Sequence, residues 1–386
     1  MFLVDAVRTP FGKNKGALSG VRTDDLAATP VKALMDRNAW LSIEDIDDVY
    51  LGNTNGAGED NRNIARMAGL LAGLPHSVPG VTVNRLCGSG AEAIVQASRA
   101  VALGDADVVI AGGVEGMTRA PFVMERSATA FPKELKLHQT TVGWRMVNPL
   151  FPDHWTAPLG VCAERVAAGL GIGRTDMDEF AARSHQLVAR AYDRGYHDGF
   201  VSETAGLAVD ESLRPETTVK ALAALRPAFD AAGAVTAGNA SPVNDGAAAT
   251  ILASASALER HALVPMGCIV GAVSVGVAPD QFAIAPVEAI NKLLRRHDLG
   301  FQDVARWEIN EAFAAVVLAC SALLPEMPVD RLNVNGGAIA IGHPLGASAV
   351  RMIVDLCREL KRAGGGYGVA AACIGVGQGQ ALLVKV

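Results

Sequence analysis

The run Asn84-Arg85-Leu86-Cys87-Gly88-Ser89-Gly90-Ala91 puts a cysteine where a strand-like segment gives way to a helix-like one. A sulfur at a helix N-terminus meets free backbone N–H groups and the positive end of the helix dipole, and both favour the thiolate. Cys87 is therefore a candidate nucleophile, the plainer alternative being a cysteine that packs as a small apolar residue. Ile341-Gly342-His343-Pro344-Leu345-Gly346 supplies a histidine framed by glycines. Such an imidazole can take a thiol proton or donate to a developing oxyanion. Cys373-Ile374-Gly375-Val376-Gly377-Gln378-Gly379 follows an apolar run. A tight turn there would expose N–H groups to an oxyanion, with Cys373 beside it as a second acid/base. These glycines do not make a dinucleotide fingerprint, because residues 380–386 read as a strand and not as the helix that fingerprint opens. Asn310, in Asn310-Glu311-Ala312-Phe313-Ala314, either caps the apolar helix that follows or orients a water or substrate oxygen.

The elements that position these residues occur twice. A helical pattern over residues 91–103 feeds an apolar strand over 104–113, and a helical pattern over 347–362 feeds one over 367–375. Val83-Asn84 leads through a glycine-rich turn to Gly90-Ala91, as Val334-Asn335 leads to Gly346-Ala347. Residues 45–53 and 303–310 each end a short apolar strand on an asparagine. The expectation is a duplicated α/β unit, strands inside and helices outside, with the two halves sharing an interface. Residues 118–245 differ in character, carrying prolines, histidines, Trp144 and Trp155, and read as an insertion suited to a substrate lid. The halves would then be residues 1–117, completed by 246–264, and residues 265–386.

Half of the 386 residues are hydrophobic, enough for a large buried core. A net charge of -6 gives no field that would draw the molecule to nucleic acid or anionic lipid. The six cysteines are scattered, without a Cys-x-x-Cys pair or a histidine at zinc-ligand spacing, so neither metal nor disulfides are expected. The first residues lack a cationic leader and no apolar run reaches membrane-spanning length, which points to the cytoplasm.

The four reactive segments, in this order, resemble the thiolases over essentially the whole chain. The resemblance implies a thiolase fold, a duplicated five-layered αβαβα core with an inserted loop domain. It also implies acyl transfer between 3-oxoacyl-CoA and coenzyme A. By it, Cys87 is acylated, His343 activates it and helps hold the first oxyanion, and Asn310 fixes a water there. Cys373 is the acid/base at the acetyl carbon, and the N–H groups of Cys87 and Gly375 form a second oxyanion hole. Arg214 and Ser241 match CoA contacts, Phe282 stands in a segment that lines the acyl pocket, and CoA enters as a substrate with no separate cofactor. A homo-oligomer, dimer or tetramer, is implied. Val376 and Pro158 stand where short-chain biosynthetic relatives carry glycine and histidine, and residues 195–213 hold no Lys or Arg. Residues 58–63, residues 140–145 and the segment around Val376 resemble thiolases that degrade 3-oxoadipyl-CoA, for whose terminal carboxylate Arg145 is the candidate partner. Competing readings are a ketoacyl-synthase-like condensing enzyme, a cysteine hydrolase and a non-catalytic acyl-CoA-binding protein.

Overall fold

The computed structural model describes residues 1–386. In the first half, β1 (Phe2–Arg8), β2 (Asp48–Gly52), β3 (Gly80–Val83), β4 (Val108–Gly116) and β5 (Asn244–Ala253) lie in the order β3-β2-β4-β5-β1. In the second half, β6 (Gly267–Gly276), β7 (Val304–Ile309), β8 (Tyr367–Ile374) and β9 (Gln378–Lys385) follow as β6-β9-β8-β7. A short antiparallel pairing, Phe2 with Cys268 and Leu3 with Gly267, joins the two ladders edge to edge. The principal helices are α1 (Thr23–Arg37), α2 (Ser89–Leu103), α3 (Arg174–Asp193), α4 (Ala285–His297), α5 (Ala314–Leu323) and α6 (Leu345–Arg362).

Three apolar cores define five layers. On the outside of the first half, Leu26, Val31 and Leu34 of α1 pack on Val49, Leu51, Ile110 and Ile251. In the centre, Ile94 and Val95 of α2 and Val350 and Ile353 of α6 fill the space between Val109 and Ala111 on one side and Ala370 and Leu382 on the other. Outside the second half, Ile290 and Leu293 of α4 and Val316 and Val317 of α5 cover Ile309, Val369 and Leu383. Strands covered on both faces are largely apolar, as β8 is throughout its buried length and β4 is except for Glu115. The central helices have little surface left for water, and most of α6 is buried all round. This is the five-layered αβαβα arrangement that the resemblance implies, built from two α/β halves as the duplication suggests.

Strand register makes the duplication quantitative. β2 and β4 run parallel with Gly52 opposite Gly113, and β7 and β8 run parallel with Ile309 opposite Ala371. Across the antiparallel neighbours, Glu115 faces Gly246 and Cys373 faces Gly379. Asn53 and Asn310 follow β2 and β7 directly. The counterpart of β3 in the second half shrinks to a single parallel bridge from Trp307 to Leu332. The first-half strand begins at Val108 and not at residue 104, because Gly104 closes α2 in the left-handed conformation, φ 81°, and a turn intervenes.

Between β4 and β5 the chain forms a small hairpin, Phe122–Met124 with Leu137–Gln139, then the helix Leu159–Gly169 and α3. No helix is long and apolar enough to cross a membrane.

Candidate active site

Cys87 sits in a turn tied down from several sides. Asn84 Oδ1 accepts from the Leu86 N–H at 2.9 Å, and Ser89 Oγ accepts from Arg85 N–H at 2.9 Å while donating to the Leu86 carbonyl at 2.7 Å. Leu86 adopts φ 46°, a left-handed conformation unusual for a bulky side chain, and so swings the next residue inward. Cys87 is 7% exposed, and the backbone N–H groups of Cys87 and Gly375 are near enough to its sulfur to favour the thiolate. Burial pushes its pKa up to about 11, the nearby Glu115 charge adding to the rise while the two N–H groups oppose it. The helix N-terminus therefore does not leave a standing thiolate, as the sequence suggested; desolvation outweighs it.

His343 is buried at the start of α6. Its backbone N–H donates to Asn244 Oδ1 at 2.9 Å, and its Nδ1 lies 2.7 Å from Ser348 Oγ. Ser348 commits its own proton to the Pro344 carbonyl at 2.9 Å, so Nδ1 carries the hydrogen and Nε2 presents a lone pair. Burial holds the imidazole pKa down to about 4, with Arg351 contributing, which keeps the ring neutral. Nε2 is 3.3 Å from Asn310 Nδ2.

Asn310 is 1% exposed, its N–H donates to the Ala371 carbonyl, and its Oδ1 is buried without a partner. It does not cap α5, whose N-cap is Phe313. Cys373 is on β8, two residues past Ala371, with its thiol pKa well above the usual value from burial and the neighbouring Cys87. The hairpin from β8 to β9 turns through Val376, φ 60°, and Gly377, φ 66°. Cys87, Cys373, His343 and Asn310 thus meet where the two halves touch. Two thiols, a neutral imidazole accepting at Nε2, converging N–H groups and an orphaned amide oxygen suit nucleophilic acyl transfer with proton relay.

The remaining candidates lie at varied removes. The Trp144 ring overlies Gly375, close enough that a side chain there would touch it. Arg145 is half-buried and donates to Asn55, to Oδ1 at 3.1 Å and the carbonyl at 3.3 Å. Ser241 N–H donates to the Ala312 carbonyl at 3.0 Å, two residues past Asn310. Phe282 is buried in the outer core of the second half, edge-on to Phe313 with ring centres 6.3 Å apart. Arg214 is exposed, and its backbone N–H donates to His185 Nδ1 at 3.2 Å. No group of three or more His, Cys, Asp or Glu side chains is placed to hold a metal ion. Sequence reasoning missed Ser348, Asn244 and Glu115; an acidic residue near the end of an otherwise apolar strand was the available signal for the last.

Residues 1–256 match the family model described as thiolase, N-terminal domain, and residues 263–386 that of thiolase, C-terminal domain. A beta-ketoadipyl-CoA thiolase of Pseudomonas aeruginosa is 49% identical, over 100% of this chain and 98% of that protein. A 3-oxoadipyl-CoA/3-oxo-5,6-dehydrosuberyl-CoA thiolase of Escherichia coli is 48% identical with the same coverage. The crystal structure of human mitochondrial 3-ketoacyl-CoA thiolase in complex with CoA superposes with a TM-score of 0.92 at 38% identity, covering 100% of this chain and 97% of that one.

Proposed function

The chain belongs to the thiolase family, and from that premise we propose how its residues divide the reaction and which substrate it takes. It is an acyltransferase that exchanges acyl groups between 3-oxoacyl-CoA and CoA. The convergence of Cys87, Cys373, His343 and Asn310 carries the division of labour. His343 Nε2 takes the Cys87 proton as the sulfur attacks the 3-oxo carbonyl, whose oxygen is received by the N–H groups of Cys87 and Gly375. The bond between C2 and C3 breaks, the acyl group stays on Cys87, and Cys373 gives its proton to the leaving acetyl-CoA enolate. His343, with a water held by the otherwise unpartnered Asn310 oxygen, faces the enolate oxygen. The Cys373 thiolate then removes the proton of an incoming CoA thiol. That thiol attacks the acyl group, and Cys87 leaves, recovering its proton from His343. CoA is a substrate, and the groups that move protons belong to the chain.

The substrate is 3-oxoadipyl-CoA, cleaved to succinyl-CoA and acetyl-CoA. Relatives at 48–49% identity named for that substrate support this. So does Arg145, a cation held by Asn55 next to Trp144, whose ring overlies the oxyanion glycine. Residues 118–245 bind CoA as a loop domain, with Arg214 and Ser241 among its contacts. The enzyme works in the cytoplasm as a homo-oligomer, dimer or tetramer, without a metal. A panel of 3-oxoacyl-CoA substrates with CoA, followed by loss of the enolate absorbance, tests the substrate. The wild type should show a higher kcat/KM for 3-oxoadipyl-CoA than for an uncharged chain of similar length, and Arg145→Ala should lose most of that preference. A wild-type preference for the uncharged chain overturns the substrate; a preference that survives Arg145→Ala overturns the residue.

A further inference from the structure

We propose that Glu115 is a positioning residue of the reaction, the first half's counterpart of Cys373, whose carboxylate ties together the segments bearing His343 and Arg145 on either side of Cys87. The counterpart relation comes from register alone. Gly52 pairs with Gly113 and Ile309 with Ala371, so Glu115 and Cys373 each lie two residues further along equivalent strands. Each also faces a glycine on the antiparallel neighbour, Gly246 and Gly379. The duplicated frame aims both side chains at the junction between the halves.

The carboxylate is 3% exposed and fully used. Oε2 accepts from the Thr54 N–H at 3.1 Å and the Gly346 N–H at 3.0 Å. Oε1 accepts from the Asn55 N–H at 3.2 Å and more weakly from Asn53 Nδ2 at 3.4 Å. Gly346 lies three residues beyond His343, in the first turn of α6, and Asn55 holds Arg145. One buried group thus spans both halves of the chain and fixes the backbone on either side of the reacting atoms. A carboxylate suits this place because it offers acceptors only; an amide would turn two donors toward N–H groups.

The same charge acts on Cys87, disfavouring its thiolate. The charged groups around Glu115 are Asp60, which also accepts from the Gly56 N–H, and Arg145 beyond Asn55; His343 is neutral. Burial raises the Glu115 pKa to about 7, with Asp60 adding to it, so its charge develops across neutral pH.

The inference rests on Cys87 as the nucleophile, and the rate of Cys87 alkylation by iodoacetamide, read by peptide mass spectrometry against pH, separates the two ideas. In wild type, log rate should climb with a slope below one between about pH 6 and 8, where the ionising Glu115 pushes the thiol pKa upward, and return to one above. In Glu115→Gln the slope should be one throughout and the midpoint lower, a midpoint that falls by about one pH unit making the thiolate about tenfold more abundant at neutral pH. Turnover should nevertheless fall at least tenfold, because the loops are no longer held. Glu115→Asp, which keeps the charge on a shorter arm, should keep the wild-type midpoint and lose turnover. A merely loosened site would expose the thiol in both variants, so a midpoint that falls in Glu115→Gln and holds in Glu115→Asp marks the charge and not a structural lesion. A slope of one in wild type, or an unchanged midpoint in Glu115→Gln, overturns the role of Glu115. Acetyl-CoA that labels a cysteine other than Cys87 overturns the nucleophile instead.

Discussion

Two buried thiols stand side by side in this site, and their surroundings suit the different work proposed for each. Cys87 has two backbone N–H groups favouring its thiolate, whereas Cys373 has only its own and is pushed further up by burial and by two neighbouring sulfurs, Cys87 and Cys320. A thiol held that far above its usual pKa keeps its proton until a strong carbon base, an enolate, draws it off. Cys373→Ala should therefore slow deuterium exchange into the methyl group of acetyl-CoA at least a hundredfold while leaving acetylation of Cys87 within about tenfold of wild type. Exchange at the wild-type rate would remove Cys373 from the proton transfer. That these two cysteines belong together was legible because each sits in a glycine-framed motif at a strand-to-helix or strand-to-strand turn. The ionisation of Cys87 was not, since the helix N-terminus is a local signal and desolvation is a property of the assembled layers. Glu115 escaped notice for the same reason: its partners Thr54, Asn55 and Gly346 lie 61, 60 and 231 residues away in the chain.

At the scale of the element, the hairpin from β8 to β9 carries Gly375, the proposed oxyanion donor, and its tip holds a valine at φ 60°. A branched side chain in the left-handed region costs roughly 1–2 kcal/mol, which glycine would escape. Glycine in turn destabilises by about 0.5–1 kcal/mol through the freedom it gains when unfolded. Val376 is only partly buried, so little packing is lost on removing it. Val376→Gly should then unfold in denaturant within about 1 kcal/mol of wild type, where a buried strand valine would lose several. A loss above about 2 kcal/mol would mean that the side chain packs far better than its exposure indicates. The strands and helices on either side were readable from apolar runs and glycine stops. The strand pairing that joins the two ladders, Phe2 opposite Cys268, was not, because it depends on how the halves sit and not on either one's pattern.

On the scale of the whole molecule, the central layer is polar in places, and that has a pH signature. His197 lies between the rings of Tyr192 and Tyr196, at 4.4 and 5.2 Å, and neither ring nitrogen has a partner. Burial lowers its pKa from 6.5 to about 4, while Asp355 and Asp210 oppose the shift and Arg8 and Arg351 reinforce it. The unfolded chain then binds a proton that the folded chain refuses, so this contribution to stability is complete above pH 6.5 and is lost as pH falls toward 4. His197→Phe should lose less thermal stability than wild type between pH 7 and pH 4.5; an equal loss would mean that His197 is already charged in the folded state. The duplication itself was visible in the sequence as repeated order. The intimacy of the halves was not: side chains on Gly90 or Gly113 would run into the carbonyl of Gly346, and one on Gly346 would strike those of Val114 and Gly52. For an engineer who shuffles homologous genes, that contact is a lock between parental fragments. A breakpoint between the halves of this chain should yield an active chimera only when the other parent keeps bare backbone at these positions, so compatibility is decided at the seam before it is decided at the cysteines.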